Sequence, residues 1–82
     1  MDRNIEEEYW VLEFTEGDYK GKFFFITEHH QNVSWRDTPR DCMRYSTREK
    51  ALNASEYFSL RFTMEPRHVK TVYSIRQNNG GG

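Results

Sequence analysis

The residues best suited to chemistry in this chain are one cysteine and three histidines: Cys42, His29, His30 and His68. These side chains bind zinc, but zinc sites usually present paired ligands at short spacing in the sequence. His29 and His30 are adjacent, so on a strand they point to opposite faces and rarely reach one ion. Solvated histidines at a strand end are therefore the favoured interpretation, and we predict no metal and no other cofactor.

Cys42 beside a histidine base would be a candidate nucleophile, but no neighbouring residue supports that role. Asp41 precedes it, and a negative charge raises the pKa of a nearby thiol. We predict that Cys42 is a small buried apolar residue. A lone cysteine forms no internal disulfide, which favours a reducing compartment. Paired carboxylates in contrasting environments and glycine-rich phosphate loops are also missing, so we predict that the protein is not an enzyme.

Four arginines recur at intervals of four residues around two aromatic residues. Pro39 and a helix cap near Ser46 interrupt this segment, so the spacing does not describe one helical face. Arginine and aromatic rings can meet phosphates and bases, the carboxylates of a partner protein, or acids of the same chain. All three interpretations stay open. The predicted partner-binding set is Trp35, Arg36, Arg40, Arg44, Tyr45 and Arg48.

Charge is distributed unevenly along the 82 residues, although the formal net charge is only −1. Residues 1–30 carry eight acidic and three basic side chains, whereas residues 31–82 carry nine basic and five acidic ones. Such asymmetry indicates either two surfaces of opposite charge or internal pairing after folding. A run of about 20 apolar residues, as needed to span a bilayer, does not occur, and the start is acidic and polar. We therefore expect a cytoplasmic protein without a membrane partner.

A β-hairpin is the clearest local prediction. Residues 9–14 are rich in aromatic and β-branched types, with Trp10, Leu12 and Phe14 on one face. A turn with two glycines follows over 16–21, and the return strand covers 23–27. The return strand is apolar on both faces, which predicts a central position or a covered second face. Phe23 and Phe25 are accordingly the candidate apolar interface, and pairing or stacking of this strand with its copy would make a homodimer.

The rest of the chain predicts a helix between two further strands. A third short strand is expected at 33–35, and residues 42–45 form either a strand or the approach to the helix. Ser46 and Glu49 have the spacing of a capping box, which predicts a helix from about Thr47 to Arg61. Its core-facing stripe is Ala51, Ala54, Ser55, Phe58 and Phe62. Pro66 ends any helix, and a last strand covers 69–75 beside one of the hairpin strands.

These elements predict an α+β fold, an antiparallel sheet of three to four strands with one α-helix packed across one face. The predicted organisation is a flexible acidic lead-in at 1–8, a single domain at 9–76, and a flexible glycine-rich tail at 77–82.

The order of motifs resembles a group of small bacteriophage and prophage proteins of hairpin–helix–strand type. The resemblance rests on Gly21-Lys22-Phe23-Phe24, on Trp35, and on the run from Asp41 to Ala51 that leads into the helix. It covers residues 9–76. This chain departs from the group with Cys42 where alanine is usual and Tyr45 where phenylalanine is usual. The resemblance implies a phage origin and a role in binding and modulating a host macromolecule, and it assigns no site residues.

The function that follows is a small non-enzymatic binding protein that binds and modulates a host protein, in the host cytoplasm if it is phage-encoded. The alternative is a nucleic-acid-binding protein that uses the arginine and aromatic set.

Overall fold

The computed structural model describes residues 3–27 and 32–75. Four strands form one antiparallel sheet in the order β3-β2-β1-β4, and one helix packs across one of its faces. The predicted α+β class is confirmed, as is the third strand. The elements are β1 (Arg3–Phe14), β2 (Phe23–Ile26), β3 (Val33–Arg36), α1 (Arg48–Tyr57) and β4 (Met64–Ile75).

The core lies mainly between the sheet and α1. Leu12, Phe14 and Phe24 are fully buried there, packed with Ala51 of α1 and Met64 of β4. Strand alternation predicted this face correctly, because Trp10 and Ile26 pack against the same cluster. The helix stripe is also confirmed at its apolar positions, since Ala54, Phe58 and Phe62 pack against this cluster.

A second, smaller apolar cluster covers the opposite face of the sheet. Tyr9, Val11 and Cys42 are buried in it, with Phe23 and Val69 packed around them. This cluster explains why β2 is apolar on both sides. β2 also lies between β1 and β3, so the central position predicted for it is confirmed.

β1 and β2 are hydrogen-bonded to each other next to the hairpin turn, and beyond it they separate. Phe14 accepts from the Gly21 amide and donates to the Lys22 carbonyl, both at 2.9 Å, and both glycines of the turn have positive φ. Further along, residues 43–45 enter between the two strands. The Met43 amide donates to Phe24, and Tyr45 exchanges two 2.8 Å backbone hydrogen bonds with Trp10. The segment at 42–45 is thus an isolated bridge rather than a full strand.

The helix differs from its prediction at both ends. Its N-cap is Thr47, whose hydroxyl accepts from the Lys50 amide at 3.1 Å, so the predicted cap at Ser46 was wrong by one residue. The isolated bridge at Tyr45 lies two residues before this cap. The helix ends at Tyr57 rather than Arg61, since Phe58 leaves the helical conformation with φ −103° and ψ 11°. A turn over 58–61 then reverses the chain.

The last strand is longer than predicted and includes a proline. β4 pairs with β1 over all twelve residues, from Arg3 opposite Ile75 to Phe14 opposite Met64. The backbone N–H and C=O of Trp10 point toward Tyr45, away from β4. Backbone groups alternate in direction along a strand, so those of Leu12, two residues later, also point away from β4. Pro66 pairs with Leu12, and its missing N–H therefore faces the outer edge of the sheet. Edge strands tolerate proline at such a position, which explains why it does not end the strand.

The prediction of a flexible lead-in at 1–8 was wrong for residues 3–8. Residues 3–8 belong to β1, where they form a ladder with residues 70–75. We call residues 3–8 and 70–75 the ribbon, and the remainder the body. The longest dimension is 58 Å, against 23 and 22 Å for the other two, as expected when the ribbon extends from the body. The predicted tail at 77–82, and His29 and His30, lie outside the described residues.

Candidate functional site

The predicted arginine and aromatic set is divided between the two faces of the sheet. Trp35 pairs with Phe24, and Arg36 pairs with Phe23. Because paired residues share a face, Trp35 lies on the helix side and Arg36 on the side of the second cluster. Tyr45 packs against the main core on the helix side, and Arg48 is the exposed first residue of α1. The six residues therefore do not form one continuous surface.

Two of the arginines are engaged within the chain. The Arg36 guanidinium lies 3.8 Å from the centre of the Phe25 ring and donates to the Trp35 carbonyl at 2.9 Å. The Arg44 guanidinium lies 4.3 Å from the centre of the Tyr9 ring and donates to the Arg40 carbonyl at 2.7 Å. It also approaches the Glu7 carboxylate at 4.0 Å. These contacts match the internal pairing that the sequence left open.

The aromatic members of the set are only partly accessible. Trp35 is 37% exposed, contacts Tyr19, and has the Lys22 ammonium 4.9 Å above its ring. Lys22 is itself paired with Asp37. Tyr45 is half-buried, and burial raises the pKa of its hydroxyl, with a smaller contribution from Cys42. Each ring therefore already has neighbours within the described part of the chain, Tyr19 and Lys22 at Trp35 and the main core at Tyr45.

Phe23 and Phe25, the candidate apolar interface, are half-buried. Phe23 packs against the second cluster, and Phe25 lies under the Arg36 guanidinium. Among the described residues β2 lies between β1 and β3, and the Met43 amide donates to Phe24 on the β1 side, so a second copy that paired with this strand would displace a neighbour. Stacking of the strand on its copy stays a prediction.

Cys42 is buried in the second cluster, as predicted. Its thiol donates weakly to the carbonyls of Pro39 and Met43, at 3.4 and 3.5 Å. Burial raises the pKa of the Cys42 thiol to about 11, and Asp41 is only a minor cause. A thiol held in its protonated form is a poor nucleophile at neutral pH.

His68 packs against the Trp10 ring, with 5.0 Å between the ring centres. Within residues 3–27 and 32–75, no three histidine, cysteine or acidic side chains come together in a way that would hold a metal ion.

The ribbon is the surface that the sequence interpretation missed. Residues 3–8 are all exposed, and Ile5, Val72 and Tyr73 are 42%, 54% and 46% exposed. Polar contacts between the strands accompany them: Ser74 donates to the Asn4 side chain at 3.0 Å, and Lys70 lies 3.7 Å from Glu6. The length of the strand predicted at 69–75 was the available signal, because its seven residues exceed the six of the hairpin strand predicted at 9–14.

Two open cavities adjoin the sheet. One, of about 430 Å³, lies between the hairpin turn and the chain after α1, lined by residues 16–19 and 61–63. The other, of about 350 Å³, lies where the ribbon meets the body, lined by Glu7, Glu8, Tyr9, Arg44, Tyr45 and Ser46. The second cavity combines two acids, a guanidinium and two tyrosines beside an exposed strand.

Comparison with known proteins adds no relatives: no family model matches this chain, and no curated protein or solved structure is significantly similar to it. The resemblance to phage proteins therefore stays a hypothesis. Among the helical residues that the structure describes, none form a segment long and apolar enough to cross a membrane.

Proposed function

We propose that this chain is a small non-enzymatic protein that binds and modulates another protein in the cytoplasm, and that the ribbon carries the contact. If the chain is phage-encoded, the partner is a host protein. The observation that carries the proposal is an exposed two-stranded ribbon bearing Ile5, Val72 and Tyr73.

Such a ribbon gains little stability alone. Two-stranded structures are marginal in water without a packed face, and exposed cross-strand pairs contribute only fractions of a kcal/mol, on the order of 0.2–1. None of its described side chains belongs to either apolar cluster. Exposed aromatic and β-branched residues on an extended strand pair are suited to covering by a partner. The ribbon thus has the chemistry of an interface rather than of a core.

A protein partner fits the charges better than a nucleic acid does. Glu6, Glu7 and Glu8 follow one another on the ribbon, where they would repel phosphates. Arg36 and Arg44, the residues that would have met phosphates, are stacked on rings of the same chain. A nucleic acid would therefore meet these two guanidinium groups already stacked on rings, and Arg44 beside the acidic ribbon.

The test is selection of binders from a displayed random-peptide library, followed by affinity measurement with variants. Ile5→Ser combined with Tyr73→Ser should weaken the selected binders by about tenfold or more, as loss of interface anchors does. The matched control is Tyr57→Ser, an 83% exposed residue at the end of α1, which should leave affinity unchanged.

Binders that ignore the ribbon variant would contradict the proposal. Tight, salt-sensitive binding of DNA or RNA that is lost in Arg36→Ala or Arg44→Ala would favour the nucleic-acid alternative instead.

A further inference from the structure

The β1 edge of the ribbon has backbone groups in the geometry to pair with another strand. Trp10 directs its backbone N–H and C=O toward Tyr45, away from β4. The pairing of β1 with β4 runs without a bulge to Arg3, so Asn4, Glu6 and Glu8 direct their backbone groups the same way. Among residues 3–27 and 32–75, β1 pairs on this side only with β2 near Glu13 and with Tyr45 at Trp10. The described chain thus leaves this edge open from Asn4 to Glu8.

The 350 Å³ cavity lies at the inner end of this edge. Glu7, Glu8 and Tyr9 form its β1 side, and Arg44, Tyr45 and Ser46 form its other side. Tyr45 already occupies the row next to β1, but the chain then turns at the Thr47 cap into α1. A strand placed beside residues 4–8 would take the same position next to β1 that Tyr45 takes beside Trp10. The end of that strand near Glu8 would lie in the cavity.

The side chains along the edge differ between the two faces. Glu6 and Glu8 lie on the helix-side face, together with Asn4, whereas Ile5, Glu7 and Tyr9 lie on the opposite face with Tyr73. Glu7 is engaged within the chain, since the Tyr73 hydroxyl donates to it at 3.5 Å and the Arg44 guanidinium lies 4.0 Å away. A neighbouring strand repeats this alternation, so one of its faces meets Glu6 and Glu8, and the other meets Ile5, Tyr9 and a carboxylate that already has partners. Lysine or arginine at every second position, with apolar residues between, is the matching pattern.

We propose that the β1 edge from Asn4 to Glu8 accepts an extended segment of a partner protein in which basic and apolar residues alternate. This proposal rests on the proposed function and names the chemistry of its partner. Strand addition of this kind obtains affinity from main-chain hydrogen bonds and specificity from alternate side chains.

The other candidates for this role fit less well. Pairing the β1 edges of two copies would bring six glutamates together, since each copy carries Glu6, Glu7 and Glu8. Along the ribbon the outer edge of β4 carries Lys70, which would repel a basic segment. Its continuation into the body is interrupted by Pro66, which has no N–H to offer there, and the described cavities do not adjoin it.

The test uses the full chain and a fluorescein-labelled peptide of alternating lysine and valine, seven residues long. Two control peptides have glutamate in place of lysine, or the same composition with lysines and valines in separate blocks. Fluorescence polarisation should give affinity about tenfold or more higher for the alternating basic peptide than for either control.

Proline variants identify the edge. Glu6→Pro removes an outward N–H from β1 without removing a bond to β4, as Pro66 does on the other side, and it should abolish binding. Ser74→Pro makes the equivalent change on the outer edge of β4, opposite Asn4, and should bind as the unmodified chain does. Should Glu6→Pro fail to fold by circular dichroism, Glu6→Gln with Glu8→Gln should weaken binding and reduce its salt dependence.

Binding that survives Glu6→Pro but is lost in Ser74→Pro would overturn the proposal, as would equal affinity for the three peptides. A dimer in sedimentation that Glu6→Pro dissolves would assign the edge to a second copy. Library binders that need Ile5 and Tyr73 but tolerate Glu6→Pro would preserve the proposed function and overturn this inference alone.

Discussion

β1 and β4 run through both the body and the ribbon, yet the two regions surround these strands in opposite ways. Near the body, β1 is covered on both faces, by α1 on one side and by the Cys42 cluster on the other. Along the ribbon, the same strand has only β4 as a described neighbour, and residues 3–8 are exposed. The ladder is continuous through both regions. Hydrogen-bonded pairing with β4 is enough to keep β1 extended in both regions. The apolar layers on the two faces of the sheet, which cover the body, contribute most of the stability.

The largest expected effect comes from removing a body aromatic. Phe14 is buried and contacts the rings of Tyr19, Phe24 and Phe62, so Phe14→Ala should lower the free energy of unfolding by about 3–5 kcal/mol. The matched ribbon variant, Tyr73→Ala, should cost about 1 kcal/mol or less, because that ring is half exposed. Urea unfolding followed by tryptophan fluorescence measures both. Similar losses for the two variants would contradict the division into body and ribbon.

A smaller effect is expected from the thiol in the second cluster. Burial raises the pKa of Cys42 to about 11 in the folded chain, from an ordinary value of 9.0. The unfolded chain therefore loses this proton first as the pH rises, so the contribution of Cys42 to stability is complete below about pH 9 and declines between pH 9 and 11.

Urea midpoints between pH 7 and 10.5 test this dependence, with Cys42→Ala as the control that removes the titrating group. The difference between the two proteins should shrink as the pH rises. A difference that is independent of pH would indicate an accessible thiol, and rapid alkylation of the folded chain at pH 8 would show the same.

The smallest expected effect on stability concerns the N-cap of α1, for which Ser46 and Thr47 are adjacent candidates. Thr47→Ala removes the observed cap and should cost about 1 kcal/mol. Ser46→Ala, the residue that the capping-box pattern favoured, should change stability by less than about 0.5 kcal/mol. Thermal unfolding of the two variants side by side makes the comparison, and the reverse ranking would restore the Ser46 cap.

Features governed by local periodicity were predicted well from the sequence. Alternation in β1 correctly placed Trp10, Leu12 and Phe14 on one face, and helical spacing placed Ala51 and Phe58 against them. The two glycines of the hairpin turn were recognisable because positive φ favours that residue. These properties depend on neighbours within a few positions, which is why the α+β class could be inferred.

The candidate site could not be predicted in the same way, because it depends on distant pairing. Glu6, Glu7 and Glu8 have low intrinsic preference for strands, and only residues 70–72, more than 60 positions away, hold them in one. The arginines looked like one group at regular spacing, but the strand register places Arg36 and Trp35 on opposite faces.

The sequence by itself determined which residues are apolar, how they alternate, and where the chain turns and begins its helix to within a residue. Only the tertiary structure decided that residues 43–45 separate β2 from β1 and that β4 extends β1 into the ribbon. The physical reason is that side-chain periodicity is a local property, whereas an open strand edge exists only through the positions of all the strands that could have covered it.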